Sequence, residues 1–404
     1  MEIRYFLFYY KLQTLPFRIR RFLRQRVFSR WANLIMQPLP PQSYIWIDPQ
    51  RIQHACLDKP SRSNEQNRMA RNGDWDLVKI HIDDLLAARA LQQRYQQGLP
   101  WEETAYRWES LEQSESGRRI RQVYPQKELW RAALHNLDRL HIEMKTRKRL
   151  SSQPATAGDE VRVCIGRNGE ILADGNSEKL ILARLLGIPS ISAQVTARHP
   201  NWLKFRRSLL GYARDVGGRL YQPATHPDLG DIPSSHDNSR WQVIESSLPI
   251  KTGKVLDIGA NLGYFCQKFE QKGFDCIAVE MDQRSADLME KLKIAEDRHF
   301  QIFKGSIFNF TGQDEFDIVL ALNILHHFFH FKDELDSLVC FLKRIHMRYM
   351  FLETHLPDEE YMQKAYRNYS PDEVVQFVLA NSCLENATFL KIVEEGRPLY
   401  LLSI

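Results

Sequence analysis

Residues 255–265, VLDIGANLGYF, constrain the fold more tightly than any other stretch of this 404-residue chain. An apolar run stops at Asp257, turns through Gly259, Ala260, Asn261 and Gly263, and passes into an amphipathic segment, a pattern that predicts strand, glycine turn and helix. Gly259 and Gly263 allow close backbone approach, and Asn261 between them is a residue type that enters the left-handed region. A second apolar run, CIAVE at 276–280, ends in Glu280, 21 residues past Gly259. That is about the offset at which a Rossmann-type fold presents a carboxylate to ribose hydroxyls. The glycines do not follow the dinucleotide order G-x-G-x-x-G.

DIVLALNILHHF at 317–328 reads as a further apolar strand that closes on Asn323 and then enters a helix. Taken with D-x-G-x-N-x-G and the acid at Glu280, it resembles the class I methyltransferases that use S-adenosylmethionine. The resemblance covers roughly residues 240–404. HFQIFKGSIFNF at 299–310 looks like the third strand and FLETH at 351–355 like the fifth; SPDEVVQFVLANSCLENATFLKI at 370–392 looks like a helix and sixth strand, and RPLYLLSI at 397–404 like the seventh. The resemblance implies a Rossmann-like, seven-stranded α/β domain with S-adenosylmethionine held by Asp257, Gly259, Ala260, Asn261, Gly263, Glu280, Met281, Ser306, Ile307 and Asn323. In that arrangement Asp257 would orient the turn and face the cationic end of the cofactor, while Glu280 would accept from both ribose hydroxyls. Where many relatives place an acid near the adenine amino group this chain has Ser306, with Ile307 beside it to pack on the ring.

A sulfonium methyl is already activated, so such an enzyme aligns its nucleophile and excludes water. A hydroxyl acceptor would also need a base, and His326 and His327, one turn after Asn323, are the candidates; the alternative is that they cap or pack the start of the helix. Glu353 and His355, after the fifth strand, form a second candidate acid/base group. His326 and His330 share metal-ligand spacing but have no third ligand, and Phe328, Phe329 and Phe331 around them point to a core helix, so no metal site is expected.

Ahead of this region, VRVCIGRNGEILADGNSEKLILARLLGIPSISAQVTARHPNW at 161–202 reads as strand, hairpin turn, strand, helix, strand, with turns at Asn168-Gly169 and Asp174-Gly175. It resembles the ParB/sulfiredoxin-like fold, whose D-G-x-x-H-R element opens a helix that engages nucleotide phosphates. NGDWDL at 72–77, followed by a long polar helix, and GLPWEETAYRW at 98–108 look like the same group. Asp174 and Gly175 match the element, but Glu178 stands in place of its histidine and Lys179 in place of its arginine. A carboxylate there repels an approaching phosphate, so nucleotide hydrolysis is not expected. Residues 217–241, rich in Gly, Pro, Ser, Asp and His, read as a loop; His226, His236 and Trp241 are either plain linker residues or parts of a lid over the substrate.

Residues 1–31 hold eight basic side chains against the single acid Glu2, so this arm carries more than the whole net charge of +5. Ile19, Phe22, Leu23, Val27 and Trp31 fall near one helical face, which predicts a basic amphipathic helix able to lie on anionic lipid or dock on the protein itself. The rest of the chain is net acidic, which argues against nucleic acid as a partner. The arm is too arginine-rich for a signal peptide, and no run reaches the length of a membrane span. The six scattered cysteines, without a C-x-x-C pair, read as buried thiols in a reducing compartment.

These readings divide the chain into a basic arm at 1–40, a smaller α+β ParB-like domain with a helical insert at 41–210, a linker or lid at 211–240 and a methyltransferase domain at 241–404. The expected function is methyl transfer from S-adenosylmethionine to a hydroxyl of a glycan, a lipid-linked intermediate or a small metabolite. The expected place is the cytoplasm, with peripheral contact at the inner membrane face through residues 1–31. The alternative is a non-catalytic regulatory module that binds nucleotide or S-adenosylmethionine.

Overall fold

The computed structural model describes residues 43–57, 70–147, 161–175 and 178–404. The amphipathic helix expected over residues 1–31 lies outside the described residues. Two compact units divide the described chain, one ending at Ser208 and the other running from Leu209 to Ile404.

The first unit begins with strands β1 (Tyr44–Ile47), β2 (His54–Cys56) and β3 (Lys79–His81). Helices α1 (Leu86–Tyr95), α2 (Glu115–Val123) and α3 (Lys127–Arg147) follow. Then come β4 (Val161–Ile165), β5 (Ile171–Ala173), α4 (Glu178–Leu185) and β6 (Ile191–Arg198), as the hairpin and helix signals of 161–202 predict. The six strands form one sheet in the order β1-β6-β4-β5-β2-β3. The long polar helix expected straight after NGDWDL is instead the ten-residue α1. Gly98 at φ 76° and the extended Pro100 end that stretch, and the 21-residue helix is α3. Glu178, in the first turn of α4, accepts from the Tyr106 hydroxyl at 2.9 Å. Helix α5 (Pro200–Asp215) contains the division between the units.

In the second unit α6 (Ser239–Ser246) precedes β7 (Lys254–Ile258), α7 (Tyr264–Gln271), β8 (Asp275–Glu280), α8 (Gln283–Ala295) and β9 (Gln301–Lys304). After these come β10 (Glu315–Leu322), α9 (Lys332–Arg344), β11 (His346–Glu353), α10 (Pro371–Asn381), β12 (Asn386–Ile392) and β13 (Pro398–Ser403). The seven strands lie in the order β12-β13-β11-β10-β7-β8-β9. Five are parallel, and β13 runs antiparallel between β11 and β12. Because side chains alternate across a strand, Leu256 and Ile258 enter one core with Val319, Leu338 and Phe341, while Val255 enters the other with Ile318, Leu320 and Phe269. Both faces of the parallel strands are therefore covered, as their apolar runs require. Strand order reverses between β7 and β10, and a crevice at the carboxyl ends of such a pair is where open α/β sheets bind ligands.

Three expectations are corrected here. The stretch after Asn323 is a short 3-10 turn, Leu325–Phe329, before α9 begins at Lys332; Phe329 is buried but Phe331 is largely exposed, so this is no continuous core helix. Residues 217–241 are not a solvated linker, because His226, Asp228, His236, Arg240 and Trp241 are all buried. All six cysteines are free thiols, but Cys340 and Cys383 are exposed, not buried. No helix among the described residues is long and apolar enough to cross a membrane.

Candidate active site

Strand β7 delivers Asp257 to the crevice and the chain then turns in three left-handed steps, Gly259 at φ 73°, Asn261 at φ 52° and Gly263 at φ 77°. A Cβ on Gly259 would lie 2.7 Å from the Ile324 side chain, and one on Gly263 would lie 2.8 Å from Met289 Cγ, so both positions need glycine for space as well as for backbone angle. The amides of Gly259 and Ala260 donate to the Val279 carbonyl at 2.9 and 3.0 Å, which ties the turn to β8. The next contact is to the acid at the end of that strand: Asn261 N–H donates to Glu280 Oε2 at 2.7 Å, and Asp282 N–H to Oε1 at 2.8 Å.

The two carboxylates share an electrostatic problem. Asp257 is 3 % exposed, and burial pushes its carboxyl up to about 7; the Cys266 thiol, donating to Oδ2 at 3.6 Å, opposes the shift and repulsion by Glu280 adds to it. Burial also raises Glu280, against the pull of its two backbone amides. Such a pair is stabilised by an arriving cation or by hydroxyl donors. Met281, immediately after Glu280, is 74 % exposed, more than any other large apolar side chain among the described residues. Ile307 is 3 % exposed and sits within the core, and Ser306 Oγ accepts from Phe308 N–H at 3.3 Å to cap the turn Ile307–Asn309. Met281 is thus an exposed apolar side chain at the end of β8, whereas Ile307 is buried in the core.

Across the crevice Asn323 follows β10 at φ 54°. Its amide N–H donates to the Glu353 carbonyl at 3.1 Å and its Nδ2 to the Tyr221 hydroxyl at 3.2 Å. Asn261 Nδ2 donates to the Tyr212 hydroxyl at 3.0 Å. Among the described residues the side-chain oxygens of both asparagines are buried with no hydrogen-bond partner. Buried polar atoms are nearly always satisfied, and these two unpartnered oxygens lie on opposite lips of one crevice.

Beyond Asn323 three histidines, His326, His327 and His330, gather around Tyr361, and His355 packs beside His326. The rings of His326 and His327 are 4.2 Å apart, those of His326 and His355 are 5.9 Å apart, and His330 lies 4.2 Å from Tyr361. Burial pushes His326 down to about 2 and also lowers His327 and His355. His327 Nδ1 lies 2.9 Å from the Tyr361 hydroxyl. Among the described residues no group of three or more His, Cys, Asp or Glu is placed to hold a metal ion.

Behind this wall Arg240 Nε meets Glu353 Oε2 at 3.1 Å, both side chains being 1 % exposed or less. Arg240 also reaches His236 Nδ1 at 3.2 Å, and the His236 ring packs edge-on to Tyr221 at 4.5 Å. Sequence reasoning missed Tyr212, Tyr221, Arg240 and Tyr361. For Arg240 one signal was present: it precedes Ile244 by four residues, on the buried face of α6.

Residues 241–389 match a family described as "Methyltransferase domain". Similar solved structures include the bifunctional kinase-methyltransferase WbdD, at 20 % identity and TM-score 0.39, over 48 % of this chain and 46 % of that one. A Pyrococcus horikoshii OT3 protein is 16 % identical with TM-score 0.33, over 41 % of this chain and 90 % of its own. The methyltransferase domain of bacterial CtHen1 is 12 % identical with TM-score 0.33, over 41 % of this chain and 96 % of its own. The chain spans 39 to 47 % of the length of the WbdD structures it matches. No curated protein matches it. The family match covers the glycine turn, Glu280, the crevice between β7 and β10 and six of the seven strands at least in part, so the likeness to methyltransferase domains falls on residues 241–389 of the second unit.

Proposed function

We propose that the second unit transfers a methyl group from S-adenosylmethionine to a hydroxyl oxygen. The observation that carries this reading is the carboxylate pair Asp257 and Glu280, both held above their ordinary range beside a turn of three left-handed residues. A ligand with a cationic end, a hydroxylated ring and a flat base answers that pair, the orphan amides of Asn261 and Asn323 and the exposed Met281 together. Glu280 has lone pairs left for ribose hydroxyls beyond its two amide bonds. Asp257 faces the cationic end, Gly259, Ala260 and Gly263 let the backbone approach, Met281 covers the base, and Ser306 and Ile307 shape the turn below it.

Bound there, the cofactor supplies a methyl group on a sulfonium sulfur, which keeps the bonding electron pair as a thioether. The acceptor proton must go to the chain. His327 is better suited to take it than His326, whose burial has removed its basicity. With Nδ1–H donated to the Tyr361 hydroxyl, His327 Nε2 is left as the acceptor. Calorimetry with S-adenosylmethionine and its demethylated product, followed by methyl-label transfer, tests this. Protein that shows neither heat nor a thermal shift with either compound does not have this function.

One observation favours a second reading, cofactor binding without turnover: burial lowers His326, His327 and His355 together, leaving weak bases. Tight binding with no label transfer to any acceptor would select it.

We assign residues 241–404 to the methyltransferase domain and, given the burial of His226, His236 and Trp241, residues 211–240 to a lid and not a linker. Residues 41–210 are assigned to the ParB/sulfiredoxin-like domain, inactive towards nucleotides because Glu178 is engaged by Tyr106. CTP or ATP turnover that disappears in Lys179→Ala would overturn the inactivity. The arm at 1–40 is assigned to anionic lipid at the inner face of the cytoplasmic membrane, where each arginine contributes about 1 kcal/mol. Equal sedimentation of the full chain and of a 1–31 deletion with phosphatidylserine vesicles would remove that role.

A further inference from the structure

The charged groups at the carboxyl ends of β10 and β11 are already answered by one another. Among the described residues of the second unit two arginines are buried, Arg240 and Arg397. Arg240 is matched by Glu353, and Arg397 donates to Glu359 at 2.9 and 3.0 Å and lies 2.9 Å from Glu395. Among the neutral side-chain atoms at these strand ends that have no hydrogen-bond partner in the described residues are Thr354 Oγ1, His355 Nε2 and His326 Nδ1, besides Asn323 Oδ1. The first three side chains are 2 %, 1 % and 7 % exposed. Burial keeps both imidazoles uncharged at neutral pH, so each offers one ring nitrogen as donor or acceptor according to its tautomer.

We propose that Thr354, His355 and His326 form the acceptor pocket, and that the acceptor is a neutral, hydroxyl-bearing molecule of the sugar or polyol class. A hydroxyl both donates and accepts, which is what a threonine hydroxyl and neutral imidazole nitrogens require to be satisfied together. A phosphate or carboxylate would meet arginines already neutralised, beside Glu353 and Glu359, and would lose its hydration without a counter-charge. This rests on the methyl-transfer reading above. It adds the class of substrate and the residues that choose it, in a role separate from that of His327, the proton acceptor.

The experiment uses the full chain. Cofactor binding is first measured by calorimetry, which decides the methyl-transfer reading by itself. Labelled cofactor is then offered with a pool of neutral mono- and oligosaccharides and glycerol, beside a pool of their phosphate and uronic-acid counterparts. Labelling of the neutral pool at least tenfold above the charged pool is expected. Thr354→Val and His355→Gln should each raise the KM for the neutral pool by about tenfold or more while cofactor affinity stays unchanged. In ¹⁵N-histidine spectra the His326 and His355 ring signals should move when the neutral pool is added to the complex with the demethylated cofactor. Equal or greater labelling of the charged pool overturns the proposal, as does no labelling of either pool by protein that binds the cofactor. Unchanged KM in Thr354→Val, the substitution least able to disturb folding, overturns it as well.

Discussion

The two lips of the crevice differ in how they are built and in what burial does to them. On the β7–β8 side the groups are carboxylates, Asp257 and Glu280, and burial raises them. On the β10–β11 side they are imidazoles, His326, His327 and His355, and burial lowers them. One cause acts on both lips, because low dielectric disfavours whichever form carries charge. The result is asymmetric in use. The first lip is improved by a cation and the second is kept neutral, which suits a cationic cofactor beside an uncharged acceptor.

The largest effect should come from breaking the first lip's backbone. Gly259→Val forces a β-branched residue to φ 73° and drives its Cβ into Ile324, so cofactor binding should fall below calorimetric detection. Retained binding would mean that the turn is not the cofactor site. The second lip should respond in rate and not in affinity. His327→Gln should lower turnover about 100- to 10,000-fold with cofactor affinity unchanged, and Tyr361→Phe should shift the pH–rate profile by freeing the tautomer that Tyr361 holds. Equal loss in binding and rate would erase the distinction between the lips.

Asp257 tests the electrostatics directly. Its folded-state value, about 7, lies above the 3.8 of an ordinary aspartate, so between those values the folded protein holds a proton that the unfolded chain has lost. The stabilisation is complete below about pH 4 and is lost as pH rises through 7, by on the order of 4 kcal/mol. Asp257→Asn should therefore melt with wild type near pH 4 and above it at pH 8, where added cofactor should recover wild type but not the variant. Parallel melting curves across that range would refute the burial argument. The smallest effect is expected from Glu280→Ala, a loss of about 1.5–3 kcal/mol in cofactor affinity, since each charge-assisted bond contributes that much. The readout is the ratio of dissociation constants, and a ratio near one would take Glu280 out of the ribose role.

The first lip was legible because it is local. Asp257 to Gly263 are contiguous, their left-handed steps demand Gly or Asn, and the acid ending β8 follows at a set distance, so one stretch of sequence carries turn, strand and carboxylate together. The seven strands were legible for a similar reason, since parallel strands covered on both faces show as apolar runs. The length of α1 was misjudged because residues just after NGDWDL pair as β3 and turn through Ile82–Asp84 before the helix begins at Leu86.

The sequence by itself therefore determined the Rossmann-like order of elements, the turn and the acid, all of which follow from residue type at short range. Only the tertiary structure decided that His226, Asp228, His236, Arg240 and Trp241 within residues 217–241 are buried, that Arg240 meets Glu353, and that Tyr221 and Tyr212 hold the two asparagines. These contacts join residues between 49 and 113 positions apart, from Tyr212 to Asn261 and from Arg240 to Glu353. Composition marked that segment as loop because Gly, Pro, Ser and Asp favour turns. Whether a turn-rich segment stays in water or lies over a crevice depends on which distant groups can satisfy its polar atoms, and that information exists only once the chain has folded.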